Sequence, residues 1–374
     1  MTGARPRRFL CACALAIFAA PPSEAQNTFD SLDAREITEA AEDISDSEFG
    51  FAAGSVFAAP IPLSNPTVGN GLIVLGGYLF KTDEGSSTSF LGAGGLWTNN
   101  GTNGYAIAGR LAFDDDRWKI TAGLLDAELF YDFFVGPVRF PIEQDGQGAL
   151  LDLGFGLTKA VTLGLTAKYL TSEIRPTLGI LPDRFPPIDA SLEIGILGVY
   201  VGYDTTDDDL FPREGIDARV SIDWGEVIGG DREFTSGVRL LNAYVPLGER
   251  NTWASRLALC DTSDETPFFL QCSLGPTDAF RGFESFRFRG TSLASLQTEF
   301  RGRIGQGRFG YTVFAGVGDT AQGFGALGSE GWRGAAGVGG RFALTRKFPL
   351  DLSVDVALNS EGETISYLYV GQAF

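Results

Sequence analysis

The sequence of 374 residues contains no histidine, a single methionine and four cysteines. Histidine is the most common general base and metal ligand in proteins, so its absence excludes a Ser-His-Asp site and a histidine-based zinc or phospholipase site. No serine or cysteine stands out as a nucleophile with a matched base. We therefore expect a protein that is not an enzyme and that holds no cofactor.

Long apolar runs are also scarce. From Gly54 onwards no stretch approaches 18 consecutive apolar residues, so helical membrane spans are not expected. A run of apolar residues at 9–20 follows a basic stretch at 5–8 and precedes a small-x-small site at 23–25. This order predicts a secretory signal peptide over residues 1–25, and the continuation of the apolar run past the cysteines near its start disfavours a lipoprotein signal.

Positive charge is in short supply, and the formal net charge is −18 at pH 7. Nucleic-acid binding requires a basic surface, so no nucleic-acid partner is expected. Residues 26–53 are acidic, with the sparsely spaced apolar residues Leu32, Ile37 and Ile44. We expect this stretch to be an acidic periplasmic N-terminal segment, either a short helix or a solvated tail.

Two cysteines remain beyond the predicted signal peptide, Cys260 and Cys272. In an exported chain, an even number of cysteines this close together favours a disulfide bond over a metal site. A bridge that closes so short a loop stabilises a fold by about 3 kcal/mol. We therefore predict a disulfide between these two residues.

Glycine and aromatic residues stay frequent along 54–374, and the pattern that recurs there is alternation with a period of two. The stretches DARVSIDW at 217–224 and LDLSVDVAL at 350–358 each place apolar side chains on one face and polar or charged ones on the other. Segments of about 10 residues with this alternation are typical of barrels whose outside meets lipid and whose inside is wet. The alternative is a soluble sandwich, which would need several stacked domains.

The alternating segments number about 16, an even number as in bacterial barrels. The first is predicted at 54–60 and the last, rich in aromatic residues and ending on Phe374, at 365–374. Links after even-numbered segments are mostly tight, with a long exception at 204–213, whereas the long links follow odd-numbered segments, at 133–145, 173–189, 261–287 and 319–331. Short periplasmic turns and long outer loops predict an all-β fold, a transmembrane antiparallel β-barrel of the bacterial outer membrane over 54–374.

Three sequence features resemble the BamA/TamA superfamily, also called the bacterial surface antigen family. Arg281, Gly282 and Phe283 lie in the long link before the fifth segment from the end. A second feature, Asp-x-x-Asp followed by Pro-x-x-Gly, is formed by Asp204, Asp207, Pro212 and Gly215, and the sequence closes on GQAF at 371–374. The resemblance covers about 54–374 and implies a sixteen-stranded barrel whose loop six folds back into the lumen.

The resemblance also implies that the tip of loop six binds inside the barrel through Arg281. A buried guanidinium without a partner is costly, so we expect it to pair with a lumen carboxylate, either Glu299 on the charged face of the next strand or Asp319. In the family that partner is the acid of Phe-x-Asp-x-Gly, but Gly316 stands at its position here. The alternative for this arginine-rich stretch is an extracellular loop that touches lipopolysaccharide phosphates.

The 204–215 segment also fits an ordinary turn in which Pro212 and Gly215 supply the backbone geometry. Its aspartates are hard oxygen ligands of the kind that bind calcium, at positions 204, 207, 208 and 209. The Asp-x-Asp-x-Asp-Gly spacing of calcium loops is missing, so we expect no metal here.

The large members of the family carry periplasmic POTRA domains before the barrel, and the residues before position 54 leave room for none. The resemblance implies a barrel that assists insertion or translocation of protein or lipid, through a weak seam between its first and last strands. Expected partners are outer-membrane lipid and lipopolysaccharide, the barrel-assembly machinery during biogenesis, and a separate periplasmic partner. The alternative is a passive diffusion pore, whose charged lumen would carry Arg301, Arg303, Arg333 and Arg341.

Overall fold

The computed structural model describes residues 54–135, 138–176, 191–208, 211–275, 280–305, 307–343 and 351–374. The predicted signal peptide (1–25) and the acidic segment (26–53) therefore lie outside the described residues, and both stay predictions. Within the described ranges, no helix is long and apolar enough to cross a membrane.

The described chain forms 18 strands and two short 3-10 turns, at Phe268–Leu270 and Phe324–Ala326. The strands are β1 (Ser55–Asn65), β2 (Gly69–Phe80), β3 (Ser89–Thr98), β4 (Asn103–Phe113), β5 (Trp118–Val135), β6 (Val138–Gly156), β7 (Val161–Pro176), β8 (Ser191–Asp204), β9 (Gly215–Val227), β10 (Glu233–Leu247), β11 (Asn251–Thr262), β12 (Cys272–Leu274), β13 (Phe288–Gly290), β14 (Ser292–Arg303), β15 (Phe309–Ala321), β16 (Arg333–Ala343), β17 (Asp351–Asn359) and β18 (Thr364–Val370).

A closed antiparallel barrel contains every strand except β12 and β13. Each barrel strand pairs with the next one along the chain, and β18 returns to β1. The small β12–β13 hairpin belongs to loop six, the 263–291 segment between β11 and β14. The predicted all-β barrel of 16 strands is confirmed.

The alternating sequence pattern places apolar side chains on the outer face of the barrel. Along β9, Val220, Ile222 and Trp224 are exposed on that face, whereas Asp217 and Arg219 are more enclosed. Similar exposed apolar side chains occur on most of the strands. An outer apolar band over polar inward positions is the arrangement that a lipid surround requires, and it disfavours a soluble sandwich.

The predicted link at 133–145 is wrong, because β5 and β6 continue through most of it. Here the alternation is inverted: Phe133 and Ile142 point inward and are buried, whereas Glu143 and Asp145 lie on the outer face. Charged side chains on the outer face made this stretch resemble a loop. The inward residues join an apolar core inside the barrel, together with Ile174, Ile194, Ile196 and Phe234.

Both ends of the barrel differ from the predicted bounds. The first strand runs on from the predicted 60 to Asn65, and the last ends at Val370 instead of continuing to Phe374. After Gly371 the chain turns inward, and Gln372 and Phe374 are buried. The aromatic ring at the end of the sequence therefore lies inside the barrel, where it contacts the site described below.

Candidate functional site: loop six and the strand seam

Loop six is attached to the barrel wall by a disulfide. Cys260 at the end of β11 is bonded to Cys272 of β12, with 5.9 Å between their Cα atoms. The backbone of Cys272 pairs with Gly290 of β13, so the bond joins the whole β12–β13 hairpin to β11. The disulfide predicted from the two cysteines is present in the structure, and it fixes the base from which loop six enters the lumen.

The tip of loop six, at 280–283, is enclosed by the barrel. Phe280 and Phe283 are fully buried, and the side chain of Arg281 is 5% exposed. Gly282 has a φ of +126°, which side chains rarely adopt, and a Cβ there would collide with Ala335 on β16. Glycine at this position lets the backbone pass against the wall, so that the arginine beside it can reach further across the lumen.

Arg281 forms two buried ion pairs. Its Nη2 lies 2.6 Å from Oε2 of Glu299 on β14, and its Nη1 lies 2.6 Å from Oδ2 of Asp355 on β17. The guanidinium also lies 3.7 Å from the ring centroid of Phe314 and donates to the hydroxyl of Tyr369 at 3.3 Å. Contacts to β14, β15, β17 and β18 fix the tip of loop six at one depth, because planar guanidinium pairing is directional.

Asp355 is the partner that sequence reasoning missed. It stands on the polar face of LDLSVDVAL, so its lumen orientation was visible, but its depth relative to Arg281 was not. Gly316 occupies the position of the acid in the family motif, and a Cβ there would press on Phe280 and Gln297, each at 2.9 Å. The missing side chain thus leaves room for Phe280, while the second carboxylate comes from two strands further along.

Two further arginines extend this cluster, which we call the lumen ion network: Arg281, Arg301, Arg341, Glu299 and Asp355. Arg341 Nη1 lies 2.5 Å from Asp355 Oδ1, and Arg301 Nη1 lies 3.5 Å from Glu299 Oε1. All five side chains are buried. Three positive side chains face two negative ones, so acceptors from elsewhere in the chain complete the network.

Those acceptors come from opposite parts of the chain. Arg301 donates from Nη1 to the backbone oxygen of Phe374 and from Nη2 to the backbone oxygen of Pro212, both at 2.6 Å. Arg341 donates to Gln372 Oε1 at 3.2 Å. The inward-turned residues after β18 are therefore held by the same network as loop six.

Asp319, the other candidate partner of Arg281, lies elsewhere. It forms an ion pair with Arg333 and accepts a hydrogen bond from the backbone N–H of Gly328 at 2.7 Å. The register of β15 and β16 explains this choice, because Gly318 stands opposite Arg333. Asp319 thus organises the link between these two strands.

The described residues of the 204–215 segment, which exclude 209 and 210, form a turn in which side chains cap backbone groups. Asp204 accepts from the N–H of Thr206 at 2.8 Å, and Asp207 accepts from the N–H groups of Arg213 and Glu214 at 2.7 and 3.0 Å. Gly215 has a φ of +110°. The two aspartates thus serve the turn, and the turn contributes Pro212 to the lumen ion network.

Arg289 on β13 is an arginine of loop six whose surroundings differ from those of Arg281. Its guanidinium lies 4.4 Å from the ring centroid of Phe133 and 5.2 Å from that of Phe268, and its Nη1 is buried without a hydrogen-bond partner. Burial lowers the pKa of Arg289 to about 10. This part of loop six thus packs mainly through aromatic contact, next to the apolar core.

The joint between β1 and β18, which we call the seam, is narrow. Ser64 with Leu368 is the pairing recorded between these strands among the described residues. By contrast, all 11 residues of β1 pair with β2, and all 7 residues of β18 pair with β17. Barrel closure at the seam therefore depends little on ladder hydrogen bonds.

Two observations identify the family of this chain. The first is the closed barrel of 16 strands with a loop six that folds inward, and the second is a sequence match. Residues 142–365 match the model of the Omp85 superfamily domain. The chain belongs to the Omp85 superfamily. Omp85 barrels are outer-membrane proteins, and the matched residues include the arginine tip, both of its carboxylate partners and four of the five strands that follow loop six. No curated protein sequence matches the chain.

Solved Omp85-type barrels share the fold at low sequence identity. BamA from Haemophilus ducreyi lacking POTRA domains 1-3 is 16% identical, with a TM-score of 0.57 over 85% of this chain and 69% of that one. CdiB from Acinetobacter baumannii is 10% identical with a TM-score of 0.56, and CdiB from Escherichia coli is 15% identical with a TM-score of 0.55. The alignments cover 85% of this chain but 59% and 62% of the two CdiB chains.

Proposed function

We propose that this Omp85 barrel assists the insertion or translocation of protein or lipid substrates at the outer membrane, and that the seam is where substrate meets the barrel. The observation that carries the proposal is the single recorded pairing between β1 and β18. Each missing ladder bond removes about 1 kcal/mol of the cost of separating the two strands. A barrel whose other neighbouring strands pair along most of their length has at this joint a place that can open sideways into lipid.

The interior supports this role over that of a diffusion pore. The aromatic turn Phe268–Leu270 of loop six packs against the apolar core formed by the inner faces of β5 to β10. On the other side, the tip of loop six is held in the lumen ion network. A diffusion pore needs a continuous wet path, and loop six lies across the lumen in contact with both of these sides.

The proposal includes the surroundings of the barrel. Residues 54–374 would form the outer-membrane barrel, 26–53 an acidic periplasmic segment and 1–25 the export signal. Its partners would be outer-membrane lipid and lipopolysaccharide, the barrel-assembly machinery during biogenesis, and a separate periplasmic protein that delivers substrate. An enzymatic role is not part of the proposal, because no nucleophile and base come together in the sequence.

A cysteine pair across the seam tests the role. Ser64 and Leu368 are direct partners, so Ser64→Cys with Leu368→Cys can form a disulfide that closes the joint. The refolded protein would be placed in lipid vesicles, and the folding rate of an added urea-unfolded, eight-stranded outer-membrane barrel would be measured. We expect the wild type and both single variants to accelerate folding, and the oxidised double variant to lose most of that acceleration.

A matched control is Val201→Cys with Val220→Cys, a partner pair of the fully paired β8–β9 joint. This bond should leave the folding rate unchanged. Equal acceleration by the seam-locked and control variants would contradict the proposal. Large, steady conductance of the wild type in planar bilayers would instead favour the diffusion pore.

A further inference from the structure

The first strand is poorly suited to pair across the seam. Pro60 and Pro62 stand two residues apart in β1, so their missing N–H groups fall on the same edge of the strand. Asn70, the β2 partner of Ser64, directs both its N–H and its C=O towards Asn99 near β3, so Ser64 and the residues two and four before it direct their backbone groups away from β2. The edge that carries the two prolines is therefore the one that faces the seam. The β1–β18 pairing at Ser64 lies immediately beyond the second proline.

A different contact holds the first hairpin. Asn65 Oδ1 accepts hydrogen bonds from the N–H groups of Thr67 and Val68, at 2.8 and 3.2 Å, and so fixes the β1–β2 turn. In this turn the hydroxyl of Thr67 accepts a hydrogen bond of 2.9 Å from the backbone N–H of Ser285. Ser285 belongs to loop six and is buried, two residues after Phe283.

Loop six also contacts the opposite side of the seam, several times. The N–H of Gly282 donates to the hydroxyl of Tyr367 on β18 at 2.7 Å, and Asn359 Nδ2 at the end of β17 donates to the Gly282 oxygen at 2.8 Å. Arg287 forms an ion pair with Glu363 in the β17–β18 turn. The same few residues of loop six thus reach both flanks of the joint.

We propose that loop six closes the seam from inside by binding both of its flanks, and that the Thr67 hydroxyl is the positioning contact for the first hairpin. The reason for closing the seam rests on the proposed function, whereas the contacts of loop six with both flanks do not depend on it. On the β17–β18 side the attachment includes the buried ion pair of Arg281 with Asp355. On the β1–β2 side the contact seen among the described residues is one neutral hydrogen bond, the weaker kind of contact. The first hairpin is therefore the flank that loop six releases first.

The test uses Thr67→Val, which removes the acceptor at nearly constant volume, and Thr67→Ser, which keeps it. Hydrogen exchange of the full chain in micelles would be followed strand by strand. We expect Thr67→Val to speed exchange of β1 amides about threefold to tenfold, as the loss of one hydrogen bond implies. Thr67→Ser should match the wild type, and β5, β6, β17 and β18 should be unchanged in both variants.

The outcomes separate the two proposals. Equal β1 exchange in Thr67→Val, Thr67→Ser and the wild type would overturn the bridging role of loop six, and so would faster exchange spread over all strands, which reports general destabilisation. If Thr67→Val speeds β1 exchange while the seam-locked cysteine variant still accelerates folding of the added barrel, loop six bridges the seam but the insertion role is wrong.

Discussion

Two joints of the same barrel differ in how they are held. At the β5–β6 joint, all 18 residues of β5 pair with β6, and inward side chains from both strands enter an apolar core. At the seam, one pair is recorded and both flanks are bound by loop six. The first joint is closed by its own backbone and the second by a third segment, so only the second can be opened without unfolding the sheet.

We expect the largest effect on this difference between the two joints from removing the positive charge at the tip of loop six. Arg281→Met would leave Glu299 and Asp355 buried without that partner, and loss of one member of a buried ion pair costs about 3–5 kcal/mol. We expect a drop of that size in the free energy of unfolding, measured by urea titration of the refolded barrel in vesicles, and larger openings in planar bilayers.

The control for this change is Arg175→Met. Arg175 also bonds carboxylates, those of Glu143, Asp145 and Glu173, but on the exposed outer face, where such pairs contribute little to stability. If both variants lose the same stability, or if Arg281→Met keeps wild-type conductance, the tip does not hold loop six in place.

A smaller effect is expected from substitutions in β1 that let the seam form ladder hydrogen bonds, as the β5–β6 joint does. Pro60→Ala with Pro62→Ala restores two N–H donors on the seam edge of β1, each of which can add about 0.5–1.5 kcal/mol if it finds a carbonyl of β18. We expect slower hydrogen exchange in β1 and β18 and slower assisted folding of an added barrel. Pro246→Ala on β10, away from the seam, should change neither, and unchanged exchange in the double variant would mean that the prolines do not limit pairing.

The smallest expected effect is a change in hydrogen exchange of the β17–β18 turn at low pH. The hydrogen bond from Arg287 holds the pKa of Glu363 below its usual range. Its contribution is therefore complete above the unfolded pKa of about 4.5 and is lost as pH falls through the lower folded value. Exchange of amides in the β17–β18 turn should rise modestly below about pH 4.5, since the pair is partly exposed. Glu363→Gln should remove this pH dependence, and an identical profile in that variant would rule the pair out as its cause.

Much of the barrel could be predicted because its outer face obeys one rule. The alternation in 217–224 and 350–358 predicted the strands there, and the same alternation around Glu299 predicted that its side chain lies in the lumen. The upper parts of β5 and β6 break that rule, since Phe133 and Ile142 pack inside while Glu143 faces out. A period of two is still present there, but which face of the strand is apolar depends on whether lipid or water lies outside the wall. The sequence does not mark where the surroundings change from one to the other.

The candidate site could be predicted only in part, because its depth depends on the stagger of several strands. Arg281 and Glu299 follow from the family tip and one strand of alternation. Asp355 joins them through the combined register of β14 to β17, which no local pattern encodes. The Thr67 contact joins residues 218 positions apart and consists of one backbone N–H, so it leaves no trace in composition or spacing.

The unequal strand lengths have a consequence for the side on which a substrate would leave the barrel under the proposed function. The 19 residues of β6 exceed the roughly 9–11 that cross the hydrocarbon layer, whereas β18 has 7. The extra residues of β5 to β7 carry acids such as Glu143 and Asp145 on the outer face, so we expect this side of the wall to extend beyond the hydrocarbon layer, whereas β18 beside the seam is short. Under the proposed function, we expect a substrate to leave the barrel on its short side, towards the lipid that borders β18 and β1.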